Sequence, residues 1–118
     1  MSRLAVPSRA LRSLAAPTPV SVLTVDEYCR KTGVNPDVML LDIEGFEIQA
    51  LRGAAGTIRN RGKALTIVVE MHPNVWESAG TTRESAEGLL AELGRRPVGL
   101  CGQRDPLSDH GQVFLEAV

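Results

Sequence analysis

The chain has 118 residues, 23% of them charged, and a formal net charge of −1. That is the size of one small domain, and the balance excludes bulk electrostatic attraction to nucleic acid or to an anionic membrane. No apolar run approaches the roughly 20 residues that span a bilayer, and aromatic side chains are so few that Leu, Val, Ile and Ala must build the core.

The charge is unevenly spread. Residues 1–20 carry Arg3, Arg9 and Arg12 and no acid, whereas residues 21–118 carry ten basic and fourteen acidic side chains. Residues 1–19 have no sustained hydrophobic period and contain Pro7, Pro17 and Pro19. They read as a flexible arm, and residues 20–118 as the domain. The Arg-, Ala- and Ser-rich start lacks an apolar h-region with a cleavage site, so it reads as a disordered leader. Val20–Leu23 is a short candidate strand. Thr24-Val25-Asp26-Glu27 is a capping box: the Thr24 hydroxyl accepts from the Glu27 amide while the Glu27 side chain reaches back. That helix is expected to run to about Thr32 and to stop at Gly33.

Val38–Leu41 is the first strong strand. The helix after it buries Ile48, Leu51, Ala55 and Ile58, and Gly53 and Gly56 interrupt it. Each glycine costs roughly 1 kcal/mol against alanine in a continuous helix, so a break or a tight packing contact is expected near Gly53. Leu65–Met71 is the second strong strand. It is apolar on both faces apart from Thr66, the pattern of a strand covered on both sides. A loop follows over Pro73–Gly80. Thr81-Thr82-Arg83-Glu84 is a second capping box, and its helix buries Ala86, Leu89, Leu90 and Leu93 and ends at Gly94. Pro97–Leu100 and Gln112–Ala117 are weaker strands joined by a polar loop. The order is that of an α/β fold, with helices on both faces of the sheet.

Both strong strands discharge into polar residues. Val38–Leu41 runs into Asp42, Ile43 and Glu44, and Leu65–Met71 carries Glu70 and leads to His72 and Pro73. Ligands of open α/β sheets bind beyond the carboxyl ends of the strands. If the two strands are parallel neighbours, Asp42, Glu44, Glu70 and His72 form one cluster there. Glu70 and His72 alternate with Met71, so both can point to one side, with the acid orienting an imidazole base. The alternatives are structural. Acids in a first helical turn favour the dipole by roughly 0.3–1 kcal/mol, which suffices for Glu47 and competes with function for Glu44. His72 can equally be a satisfied strand end, held extended before Pro73. Trp76 reads as a packing residue, and His110 and Asp109 as solvent-facing loop residues. Cys29 and Cys101 form no C-x-x-C, and with two distant histidines they make a poor zinc set. They read as reduced thiols of a cytoplasmic protein, and no residue is assigned to a metal. Phosphate-binding glycine loops and serine nucleophile elbows do not occur.

The residues from Val22 to Gly94 resemble the C-terminal half of the FkbM family of S-adenosylmethionine-dependent methyltransferases. The resemblance is carried by Leu23-Thr24-Val25-Asp26-Glu27-Tyr28, by Asp37-Val38-Met39-Leu40-Leu41-Asp42-Ile43-Glu44-Gly45-Phe46-Glu47 and by Ala50-Leu51-Arg52-Gly53-Ala54. It continues through Val69-Glu70-Met71-His72-Pro73 and closes with Leu89-Leu90-Ala91-Glu92-Leu93-Gly94. It implies methyl transfer to the hydroxyl of a sugar or natural product, with S-adenosylmethionine as cofactor. It also implies a Rossmann-like class I methyltransferase sheet of parallel strands with one reversed terminal strand, here only partial. Leu40 stands where the family usually has a lysine. The glycine-rich D-x-G-x-x-x-G loop that cradles the methionine end of the cofactor has no counterpart, nor has the acid that holds the ribose.

The chain therefore reads as the back half of such an enzyme, expected to bind the cofactor weakly or not at all by itself. The competing reading is a non-catalytic α/β remnant serving as an interaction module, and a third takes the acid–histidine cluster as a divalent-metal hydrolase site without a paired ligand motif. In either of the first two cases Val38–Leu41 is expected to be an exposed sheet edge, covered by a second copy, by the arm or by the missing N-terminal half.

Overall fold

The computed structural model describes residues 3–4 and 19–118. Most of the arm expected over residues 1–19 lies outside them. β1 (Arg3–Leu4) and β2 (Val20–Ser21) form an antiparallel pair of their own, so the short strand at Val20 pairs with Arg3–Leu4 and not with the Val38–Leu41 edge.

α1 (Val25–Thr32) starts as its sequence dictates. The Glu27 amide donates to the Thr24 hydroxyl at 3.0 Å, and the Thr24 amide donates to the Glu27 carboxylate at 3.0 Å. Gly33, at φ 76°, ends it in the left-handed conformation that glycine adopts without strain. After β3 (Val38–Leu41) the helical stretch breaks at Gly53 into α2 (Glu47–Arg52) and α3 (Ala55–Arg61). The break is also a close contact, because a Cβ on Gly53 would lie 3.0 Å from the Thr24 side chain. Asp26 caps α3 from a distance in sequence. Its carboxylate accepts from the Gly56 amide at 3.0 Å, the Thr57 amide at 2.8 Å and the Thr57 hydroxyl at 2.6 Å. Burial pushes the Asp26 carboxyl up, but these hydrogen bonds and nearby Arg59 outweigh it and hold the group below the usual carboxylate range.

β4 (Thr66–Met71) is followed by two 3-10 turns, Pro73–Val75 and Glu77–Ala79, and by α4 (Arg83–Leu93). The cap of α4 is shifted from the expected one: Thr82 is the N-cap and Ser85, not Glu84, completes the box. Thr81 is unavailable because it is buried and its hydroxyl accepts from Gln49 Nε2 at 2.9 Å. β5 (Arg95–Gly99) and β6 (Gly111–Ala117) close the chain.

The main sheet has four strands in the order β3-β4-β6-β5. β3 and β4 are parallel, and β6 is antiparallel to both β4 and β5. The reversed strand is thus the last in the chain, lying between β4 and β5. Val38 to Leu41 pair with Thr66 to Val69, and β3 is an edge strand among the described residues.

Period-two alternation sorts the strands into two faces. Met39, Ile67, Val69, Met71, Val113 and Leu115 belong to the buried core with Ile48, Leu51 and Ile58 from α2 and α3 and Ala86, Leu89, Leu90 and Leu93 from α4. Arg95 is buried at this side, its guanidinium donating to the Leu65 and Leu115 carbonyls at 3.0 Å each. The opposite face is open. Leu40 is 74% exposed, Val38, Thr66, Val98 and Gln112 are exposed, and Val68 and Phe114 are half-buried. Helices on both faces were expected; among the described residues they pack on one. The apolar run of β4 was expected to mark a strand covered on both sides; among the described residues no helix packs on its Thr66, Val68 and Glu70 face.

Candidate active site

The parallel pairing of β3 and β4 brings their carboxyl ends side by side. Nε2 of His72 lies 3.0 Å from Oε2 of Glu70 and 3.8 Å from Oδ1 of Asp42. Glu70 and His72 do point to one side, as their spacing predicts. Their environments grade from wet to dry, since the Asp42 side chain is 67% exposed and the His72 side chain 12%. Glu44 does not join them. It is exposed, and no hydrogen bond or ion pair ties it to Asp42, Glu70 or His72 among the described residues. Its φ of 45° puts a non-glycine residue in the left-handed region, which costs of order 1 kcal/mol or more. With Gly45 at φ 106° it turns the chain from β3 into α2. A Cβ on Gly45 would come 2.7 Å from Cγ2 of Val75, so this turn is packed hard against the loop after β4.

The turn delivers a residue that the sequence reading assigned to helix electrostatics. Glu47, in the first turn of α2, is fully buried. Its carboxylate accepts from the Gly45 amide, from the His72 amide at 2.8 Å and from the Trp76 indole at 3.1 Å. Oε2 of Glu47 also lies 3.3 Å from Nδ1 of His72. A buried carboxylate is tolerated only when hydrogen-bonded donors replace its water, and here three N–H groups donate to it. Trp76 is a packing residue as expected, but it is also one of these donors. The sequence signal for Glu47 was weak: an acid at a helix start has an ordinary explanation, and only the pairing of β3 with β4 aims it at His72.

His110, expected to face solvent, is 60% exposed at its side chain, yet its ring centroid sits 4.7 Å from that of His72. Its Nε2 lies 3.6 Å from Oε2 of Glu70. The loop before β6 places it there, because Gly111 pairs with Met71 at the end of β4. A groove of about 560 Å3 between α1 and α3 includes Asp26, Arg30, Thr57 and Arg61 and shares no residue with this cluster.

Chemically, the cluster is an imidazole with a carboxylate on each nitrogen. Ionised carboxylates are acceptor-only, so Glu47 favours a proton on Nδ1 and Glu70, 3.0 Å from Nε2, favours one there. In the ring form protonated on Nδ1, Nε2 is directed at the open rim between Asp42 and Glu70, where it can take a proton, with the two rim carboxylates flanking it. The profile of the Methyltransferase FkbM domain matches residues 2–97. This chain belongs to the FkbM methyltransferase family. The match is wider at both ends than the Val22–Gly94 resemblance and includes β3, β4 and the whole Asp42–Glu47–Glu70–His72 cluster. Comparisons with curated proteins and with solved structures found no match. No helix among the described residues of the FkbM domain is long and apolar enough to cross a membrane.

Proposed function

We propose that this FkbM domain contributes the acceptor side of an S-adenosylmethionine-dependent O-methyltransferase acting on a small hydroxyl compound, a sugar or natural product. The observation that supports this most is the convergence of Asp42, Glu70 and His72 at the carboxyl edge of parallel strands, with buried Glu47 behind them. Methyl transfer is an in-line displacement that needs the acceptor positioned and its proton removed. His72 takes that proton on Nε2. Glu47 acts through His72 as a positioning residue, and Asp42 and Glu70 hold the acceptor hydroxyl and then the imidazolium. Glu44 has no part in the step. The order of the strands, with the reversed last strand inserted in the sheet, supports a partial class I methyltransferase architecture. A cytoplasmic location, with Cys29 and Cys101 as free thiols, goes with this reading.

The D-x-G-x-x-x-G loop that cradles the family's cofactor does not occur in the sequence, and Gly45, in the turn before α2, has the space of its missing side chain filled by Val75. S-adenosylmethionine binding by the chain alone is therefore expected to be weak or undetectable, and calorimetric titration returning micromolar affinity would contradict this.

A second reading, a non-catalytic interaction module, is favoured by one observation, the apolar sheet face that is exposed beside β3, an edge strand among the described residues. On either reading that edge is proposed to pair with another chain, a second copy or a family N-terminal half. Transfer of radiolabelled methyl to a panel of sugar and natural-product hydroxyls separates the two. It is measured with the chain alone and with a family N-terminal half supplied in trans. The enzyme reading expects transfer in the complemented sample, reduced about 100-fold or more by His72→Ala. An undiminished rate in the variant contradicts the role of His72, and no transfer in either sample favours the module.

A further inference from the structure

We infer that Glu70, His72 and His110 form a binding site for a late first-row divalent cation, with zinc the ion that the ligand set suits best. The inference stands on the geometry of the cluster and not on the methyl-transfer reading. One ligand atom from each of the three residues can be chosen so that all lie within 4.8 Å of one another. Oε2 of Glu70 is 3.0 Å from Nε2 of His72 and 3.6 Å from Nε2 of His110. Nitrogen and oxygen ligands at 2.0–2.2 Å around a tetrahedral ion are separated by about 3.3 Å, so these two spacings bracket what an ion requires. Two imidazoles and a carboxylate form a ligand set of catalytic zinc sites, which keep the fourth position open.

Two further features fit. His72 presents Nε2 to the site while Nδ1 faces the buried Glu47 carboxylate at 3.3 Å. Ligating histidines characteristically donate their other ring N–H to such a carboxylate, which fixes the ring and raises its basicity. Asp42, 3.8 Å from the same Nε2 and largely exposed, stands at the rim, where it can close the fourth position or contact a molecule bound there. The pairing of Gly111 with Met71 brings His110 to the cluster, where its nitrogen supplies the ligand that the strand residues lack. An ion here occupies the lone pair of His72 Nε2, so the metal-bound protein has Asp42 as its remaining rim base and the ion as the group that polarises a bound hydroxyl.

The test uses the chain stripped of metal by chelation and titrated with Zn2+ by calorimetry, with Co2+ absorption as a second readout of the ligand set. One saturable ion per chain is expected, with affinity lowered at least 10-fold by His110→Ala and unchanged by the Cys29→Ser, Cys101→Ser double variant. His110 is exposed, so its variant should fold, and His72→Ala is needed only as confirmation. The Co2+ spectrum should have the intense visible bands of a four-coordinate site and lack thiolate charge transfer. Absence of saturable binding, binding undiminished in His110→Ala, or binding lost in the cysteine variant would each overturn the inference.

Discussion

At the scale of single residues, Glu47 matters most and its neighbour Glu44 least. Glu47→Gln keeps the shape but replaces one acceptor oxygen with a donor, leaving at least one of the facing N–H groups of Gly45, His72 and Trp76 without a partner. An unsatisfied buried group costs about 1–3 kcal/mol. Urea unfolding of Glu47→Gln should register a loss of that size, and Glu44→Gln a change within about 0.5 kcal/mol. Gly45→Ala should be more damaging than its single methyl suggests, because φ is 106° and the new Cβ meets Val75 at 2.7 Å. Asp42, Glu70 and His72 were legible in the sequence as acids and a histidine at the ends of apolar strands. Glu47 and His110 were not. Each has an ordinary local explanation, and its role appears only when strand pairing brings distant segments to one edge.

At the scale of elements, α1, β3, β4 and α4 could be read because capping residues and apolar periodicity agree there. Gly33 and Gly94 end their helices in the left-handed conformation as expected. Thr82 displaced Thr81 as the cap because a tertiary hydrogen bond from Gln49 claims Thr81, which no local pattern reveals. The same limit hid the second role of Asp26, legible only as an acid of the first turn of α1. Its carboxylate is hydrogen-bonded in the folded state and held below its usual range. A group whose folded pKa is depressed stabilises fully above its unfolded pKa, and that stabilisation is lost as pH falls through the folded pKa. Stability should therefore decline below about pH 4 partly through Asp26, and Asp26→Asn should flatten that limb of the pH–stability profile. Asp26→Ala should cost about 1 kcal/mol at neutral pH, the usual worth of an N-cap.

At the scale of the whole molecule, the helices among the described residues pack on one face of the sheet and leave the other open. The α/β class followed from the order of strands and helices, and the parallel β3–β4 pair, posed as a condition from the strand sequences and implied by the family resemblance, is present; the coverage of the sheet did not follow. An apolar run reads the same whether its second face is buried in this chain or left apolar and open. Register puts Leu40, Val68, Phe114 and Val98 side by side across the four strands on the open face. Exposed apolar rows and unpaired strand edges promote association. Leu40→Lys should reduce self-association by light scattering while shifting stability by no more than about 0.5 kcal/mol, since Leu40 packs against little. The Thr66 amide donates to the Asp37 carbonyl, and the alternation of a parallel ladder then turns the Met39 and Leu41 amides towards β4 and the Leu40 amide outward. In a monomeric sample the Leu40 amide should exchange fast and its two neighbours slowly.

Glu47 holds His72 so that Nε2 faces the rim, an orientation that both the proposed proton transfer and the proposed metal site require. Long-range proton–nitrogen NMR of the His72 ring reads this directly in the metal-free chain. In the neutral ring the proton should reside on Nδ1, and Glu47→Gln should redistribute it. A neutral ring protonated on Nε2, or a proton position indifferent to Glu47→Gln, would contradict it.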